Sequence, residues 1–225
     1  MSLNTNKPFF HVRNAFRLLN AFQQRVIDTV LYIKSKTDLQ PVGGASGQML
    51  YSNPLSTRSN INIYKDLWGW DFLCGYTFEY YLGEKQFEDR IVAMSIIQLS
   101  DDGPYTSKKE GMEKWIDLNS FEPSENSHSY QLFYSNVHSA SCKSVGWVSA
   151  GENFSKQSRD ISLIKFLSSP ESCEVKKLDN ETQILKRYPM EDFLDRQSID
   201  KVIKDFAAIL KNETGLKLFK EDYYQ

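Results

Sequence analysis

Trp70-Asp71-Phe72-Leu73-Cys74-Gly75-Tyr76-Thr77-Phe78-Glu79-Tyr80-Tyr81-Leu82 is the stretch on which the fold turns. Phe72, Cys74, Tyr76, Phe78, Tyr80 and Leu82 occupy every second position. Successive side chains of a strand point to opposite faces, so this spacing predicts a strand with one continuously apolar face. Gly83-Glu84-Lys85-Gln86 interrupts the run with polar residues and is expected to be a turn. Arg90 to Leu99 follows, apolar on both faces from Ile91 onward, as expected of a strand covered on both sides. Phe72–Leu82 and Ile91–Leu99 therefore read as the central antiparallel hairpin of a sheet.

Working outward, Asn14 to Lys36 reads as a long helix. Ala15, Leu18, Phe22, Val26, Val30 and Ile33 recur at three and four residues, and Phe16, Leu19, Ile27 and Leu31 widen the stripe. A stripe that broad predicts a helix laid against a sheet. Ser198 as N-cap, Ile199, Val202, Ile203, Phe206, Ile209 and Leu210 at helical spacing, and Gly215 as a left-handed C-cap predict a second helix near the end. Between the helices, Asn60–Leu67, Ser129–His138, Lys143–Ser149 and Thr182–Lys186 read as strands. Asp160–Leu167 and Cys173–Leu178 read as a hairpin across Ser168–Ser172, and Ser107–Trp115 as a short helix. Gln40–Asn60, with Pro41, Gly43, Gly44, Gly47 and Pro54, is expected to be a mobile connection with little regular structure. Strands that run consecutively between terminal helices give an α+β fold: a mostly antiparallel sheet with long N-terminal and C-terminal helices packed on it. Residues 4–225 are expected to form one domain.

The chain has 225 residues and a formal net charge of -2, so no whole-chain field favours nucleic acid or anionic lipid, and no Lys/Arg cluster announces a local one. Cys74, Cys142 and Cys173 are odd in number and widely spaced, which points to a reducing compartment rather than a disulfide framework. No apolar run reaches membrane-spanning length, and Met1 to Phe10 lacks the basic-then-apolar pattern of a signal peptide; the cytoplasm is the expected location. Tyr and Phe number 12 and 14, an excess that suits a sheet and also suits an aromatic binding surface.

Few constellations carry chemistry. Asp160 opens one proposed strand, and Glu174-Val175-Lys176 lies on its partner, with Glu174 and Lys176 on one face by alternation. This resembles the acidic residue plus Glu-x-Lys of a broad class of metal-dependent nucleases. The resemblance implies that Asp160 and Glu174 hold Mg²⁺ and that Lys176 orients the attacking water. It rests on one tripeptide of a kind expected by chance in a chain rich in Glu and Lys. His128, His138 and Cys142 are the other candidate ligands or nucleophile partners, but they lack a second close pair. Gly43-Gly44-Ala45-Ser46-Gly47 lacks the Gly-Lys-Ser/Thr ending of a phosphate loop. Asp71 and Glu79 fall on the face opposite Phe72, Phe78 and Tyr80, where solvent or a salt bridge is expected to satisfy them.

The reading that follows is a soluble, non-catalytic binding or regulatory protein, of the immunity or inhibitor kind. It takes no cofactor, and its partner is another protein rather than a membrane or nucleic acid. The alternative is a metal-dependent hydrolase or nuclease using Mg²⁺ at Asp160, Glu174 and Lys176. A binding protein should present an exposed aromatic patch; a nuclease should bring its acids together.

Overall fold

The computed structural model describes residues 9–40, 51–54, 77–103, 125–141 and 163–225. Among them, helix α1 (Phe10–Lys34) is followed by strands β1 (Tyr51–Pro54), β2 (Thr77–Phe87), β3 (Arg90–Leu99) and β4 (Tyr130–Ser139). A short helix α2 (Leu163–Leu167), strands β5 (Cys173–Leu178) and β6 (Glu181–Pro189), and helix α3 (Arg196–Thr214) complete the order. Two 3₁₀ turns, Met190–Phe193 and Glu221–Tyr224, flank α3. The strands form one six-stranded sheet in the order β1-β2-β3-β4-β6-β5, with every neighbouring pair antiparallel. The fold is α+β with long helices near both ends, as the periodicities predict.

The central hairpin is β2–β3, but its turn lies beyond Gly83. The strand runs on to Phe87, and the chain reverses at Glu88-Asp89, with Glu88 at φ 29°. Gly83 instead sits at a bulge: Tyr81 pairs with Ser95 and Gly83 with Met94, so Leu82 is the extra residue. Its φ of 120° is open to glycine at little cost, which lets the ladder absorb that residue without ending. Of the predicted Phe72–Leu82 strand, residues 72–76 lie outside the described residues.

Register fixes the two faces of the sheet. Tyr80, Ile96 and Phe133 are cross-strand neighbours on one face. Glu79, Ile97, Leu132 and Arg187 form the equivalent row on the other. The first face meets α3 through Ile199, Val202, Ile203, Phe206, Ala207 and Leu210, all buried. Phe133 makes an edge-to-face contact with Phe206 at 5.2 Å and with Tyr188 at 5.2 Å. The second face carries α2, where the Arg187 guanidinium donates to the carbonyls of Ser169 (3.1 Å) and Glu171 (2.9 Å) and lies 5.5 Å from the Phe166 ring centre.

Both ends of α3 are well satisfied. Asp195, not Ser198, is the N-cap; its carboxylate accepts from Ser198 N–H at 2.9 Å and Ser198 Oγ–H at 3.1 Å. Gly215 takes the left-handed cap with φ 75°, as the sequence predicts, and Arg90 donates to the Thr214 carbonyl at 2.7 Å. The tail is bound rather than frayed. Phe219 bridges to Thr37, Lys220 N–H donates to the Lys36 carbonyl at 3.0 Å, and Leu218 and Phe219 are buried.

Other expectations need correction. The hairpin expected between Asp160–Leu167 and Cys173–Leu178 is not formed by the described residues: Leu163–Leu167 is helical, β5 forms its hairpin with β6 across Asp179-Asn180, and residues 160–162 lie outside the described residues. Within Gln40–Asn60, Gln40 bridges to Glu84 and Tyr51–Pro54 forms an edge strand on β2. Residues 41–50 and 55–60 lie outside the described residues, as do the proposed elements at Asn60–Leu67, Ser107–Trp115 and Lys143–Ser149.

Phe206 is fully buried against Phe133, so Phe206→Ala is expected to lower unfolding stability by about 3–5 kcal/mol, read from the urea midpoint. An unchanged midpoint would contradict this packing. Burial also raises Tyr80 from 10.0 to about 12, and it raises Tyr81, Tyr188 and Tyr223 with help from the carboxylates they face. A phenol whose folded value is raised contributes stability that is present below the unfolded value and lost as pH climbs through the folded one. The protein should therefore lose stability as pH rises above about 10, with delayed phenolate absorbance at these rings.

Candidate functional site

Of the residues proposed for Mg²⁺ chemistry, Glu174 and Lys176 fall among the described residues. Glu174 and Lys176 share one face of the edge strand β5, opposite Leu185 and Gln183 respectively, as alternation requires. Asp160 lies outside the described residues, and the described part of the segment expected to carry it, Leu163–Leu167, is helical rather than a strand. Among the described residues no group of three His, Cys, Asp or Glu side chains could hold a metal ion.

The histidines are apart. His128 precedes β4 and His138 lies near its far end, so about 30 Å of extended chain separates them. His128 belongs to a loop contact: its N–H donates to Asp102 Oδ1 at 2.7 Å, and its ring Nδ1 stands 3.8 Å from Asp102 Oδ2. Cys142, the proposed partner of His138, lies outside the described residues.

Of the two expectations for Glu79, solvent or a salt bridge, the first does not hold: the residue is fully buried. It follows the Ile97–Leu132 row of the second sheet face and stands near Tyr81 on its own strand. The Tyr81 hydroxyl donates to Glu84 Oε1 at 2.8 Å. Burial first, then Glu84, and lastly the charge of Glu79 hold that phenol protonated. On the opposite face, Gln98 and Gln131 are cross-strand neighbours and fully buried. Gln98 accepts from Tyr80 O–H at 3.2 Å and donates to Ser100 Oγ at 2.8 Å, whereas neither amide atom of Gln131 has a hydrogen-bond partner among the described residues.

The most unusual surface is on α1. The helix starts at Phe10, four residues before the Asn14 expected from its sequence, without a side-chain cap and with no acidic residue in its first turn. Its second half is anchored: Val26, Thr29, Val30 and Ile33 are buried. Arg25 donates to the Leu194 carbonyl at 2.6 Å, and Tyr32 donates to Asp200 Oδ1 at 2.9 Å. Its first half is not. Every residue from Phe9 to Ala21 is exposed, roughly three and a half turns of helix. Phe9 is 67% exposed, Phe16 59% and Leu18 72%, and Phe10, Val12 and Leu19 are exposed as well. The stripe read as sheet-facing along its whole length is sheet-facing only from Phe22 onward, because there α3 supplies a surface to bury against.

Charge sharpens this picture. No Asp or Glu occurs among residues 1–27, while Lys7, Arg13, Arg17 and Arg25 do. Arg25 is engaged with the body, and no carboxylate among the described residues pairs with Arg13 or Arg17. A count of acids by segment, rather than a search for clustered Lys and Arg, would have shown this from the sequence.

Residues 3–215 match the model of the family described as PM0109, and the chain belongs to that family. No curated protein and no solved structure matches the chain.

The Gln131 amide is buried without a hydrogen-bond partner among the described residues, and an amide so placed costs the folded state about 1–3 kcal/mol. Gln131→Leu is therefore expected to leave stability unchanged or raise it, in a thermal melt at neutral pH. A clear loss would mean that the amide meets a partner in solution.

Proposed function

We propose that this PM0109-family chain is a non-catalytic binding protein, of the immunity, inhibitor or regulatory kind, and that it engages another protein. The observation that supports this most directly is the exposed first half of α1, with Phe9, Phe10 and Phe16 in water beside Val12, Leu18 and Leu19. Exposed apolar groups on this scale mark interaction surfaces, and aromatic residues with Arg are the side chains that protein interfaces concentrate. Among the described residues no helix is long and apolar enough to cross a membrane. We read residues 4–225 as one domain acting in the cytoplasm without a cofactor. The alternative, a Mg²⁺-dependent hydrolase or nuclease, draws on the side-by-side placement of Glu174 and Lys176 on β5 and needs Asp160 beside them.

Two measurements separate these readings. A photo-crosslinking residue at position 16, in cells of the source organism, should give protein adducts that the same group at position 204, on the exposed face of α3, does not give. A Mg²⁺ and Mn²⁺ titration against DNA and RNA should give no cleavage. Metal-dependent cleavage abolished by both Asp160→Ala and Glu174→Ala would replace the binding reading with the hydrolase.

A further inference from the structure

The exposed half of α1 carries enough detail to specify the chemistry of its partner. We infer that residues 9–20 dock as a helix into an apolar groove, rimmed by carboxylates, on a second protein. This deepens the binding reading and depends on it.

Shape argues for a groove. Val12, Phe16 and Leu19 fall at i, i+4 and i+7 and make one stripe, which Phe9 extends by a turn. Consecutive residues of a helix are separated by about 100°, which places Phe10 beside Arg17 and Leu18 between His11 and Asn14, both on the side of the helix away from that stripe. Both are exposed, Leu18 at 72%. A helix lying in a lipid interface keeps one face polar. Here Phe10 and Leu18 would be left in water by such a surface, whereas a groove with walls covers them together with the stripe.

Charge argues for acidic walls. Arg13 and Arg17 have no carboxylate partner among the described residues, and no acidic residue lies in the first turn. The backbone N–H groups of that turn add partial positive charge to the same end. Pairing of α1 with α1 of a second copy would set arginine against arginine, with no acid between Phe9 and Ile27 to offset it. A groove edged by Asp and Glu neutralises both side chains and leaves the apolar ones to fill its floor.

Ca²⁺-loaded calmodulin, an acidic protein with an apolar groove, serves as the probe against the full chain by isothermal titration at physiological salt. The wild-type chain is expected to bind. Phe16→Ala and the double variant Arg13→Glu/Arg17→Glu should each weaken binding at least about tenfold. The control Lys201→Glu/Lys204→Glu, on the exposed face of α3, should leave it unchanged. All of these positions are exposed, so circular dichroism and thermal midpoints should match the wild type. No binding by the wild-type chain, equal weakening by the control, or insensitivity to charge reversal overturns the inference. So does helix-dependent binding to vesicles of phosphatidylserine and phosphatidylcholine tighter than to calmodulin, or self-association in sedimentation that Phe16→Ala abolishes. If adducts still form from position 16 while charge reversal changes nothing, the acidic groove fails and the binding reading stands. Metal-dependent cleavage would instead remove the binding reading itself.

Discussion

The contact between Phe133 and Phe206 sets the position of nearly everything else. Phe133 stands mid-strand on β4, buried, with Ile96 beside it on β3. Phe206 descends from α3 onto its edge at 5.2 Å, with Tyr188 and Phe193 completing the ring of contacts around Phe133. Offset and edge-to-face aromatic packing has a preferred geometry, so this cluster fixes the rotation of α3 as well as its distance from the sheet. Phe219 then packs edge-on to Phe206, which draws the tail back toward Thr37 at the end of α1. The helix, the tail and the root of α1 are thus tied to one aromatic cluster.

The same arrangement explains why α1 is two things in one element. Its second half reaches α3, where Tyr32 and Tyr223 both donate to Asp200 Oδ1, at 2.9 and 2.7 Å. Lys36 lies 4.5 Å from the Tyr32 ring centre, and Arg25 holds the carbonyl before the α3 cap. None of these anchors extends past Phe22. Helix propagation from an ordered turn is far easier than nucleation, so the anchored half can template the first half without any packing there. The consequence is a helix held in register but left uncovered.

Much of this was legible in the sequence, and the misreadings have physical causes. The alternation through Phe78, Tyr80 and Leu82 located the central strand, and the spacing from Ile199 to Leu210 with Gly215 located α3. The α3 start was misplaced because Asp195 and Ser198 are both capping residues three apart, and the structure uses them as a pair. Gly83 reads equally as a turn or a bulge, since both need the same backbone freedom. Ile161, Leu163, Ile164 and Phe166 satisfy strand and helix spacing over so short a run that periodicity cannot choose. The α1 stripe was read correctly as apolar, but periodicity reports that a face is apolar and not what covers it.

That last distinction bears on function. A near-neutral total charge was read as weighing against charged partners, yet the total averages over a chain whose first 27 residues contain no acid at all. Electrostatic recognition works over a Debye length of about 8–10 Å, so a partner meets the local charge of α1 and not the sum. The burial of Glu79 shows the same gap from the other direction: alternation placed it away from Tyr80 but could not tell that its own face would also be covered. In both places sequence pattern assigns a side chain to a face, and the tertiary surroundings of that face decide whether it is core, solvated surface or interface. The candidate site is therefore a property of where packing stops along α1, at the turn around Phe22, and of the one-signed charge carried beyond that point.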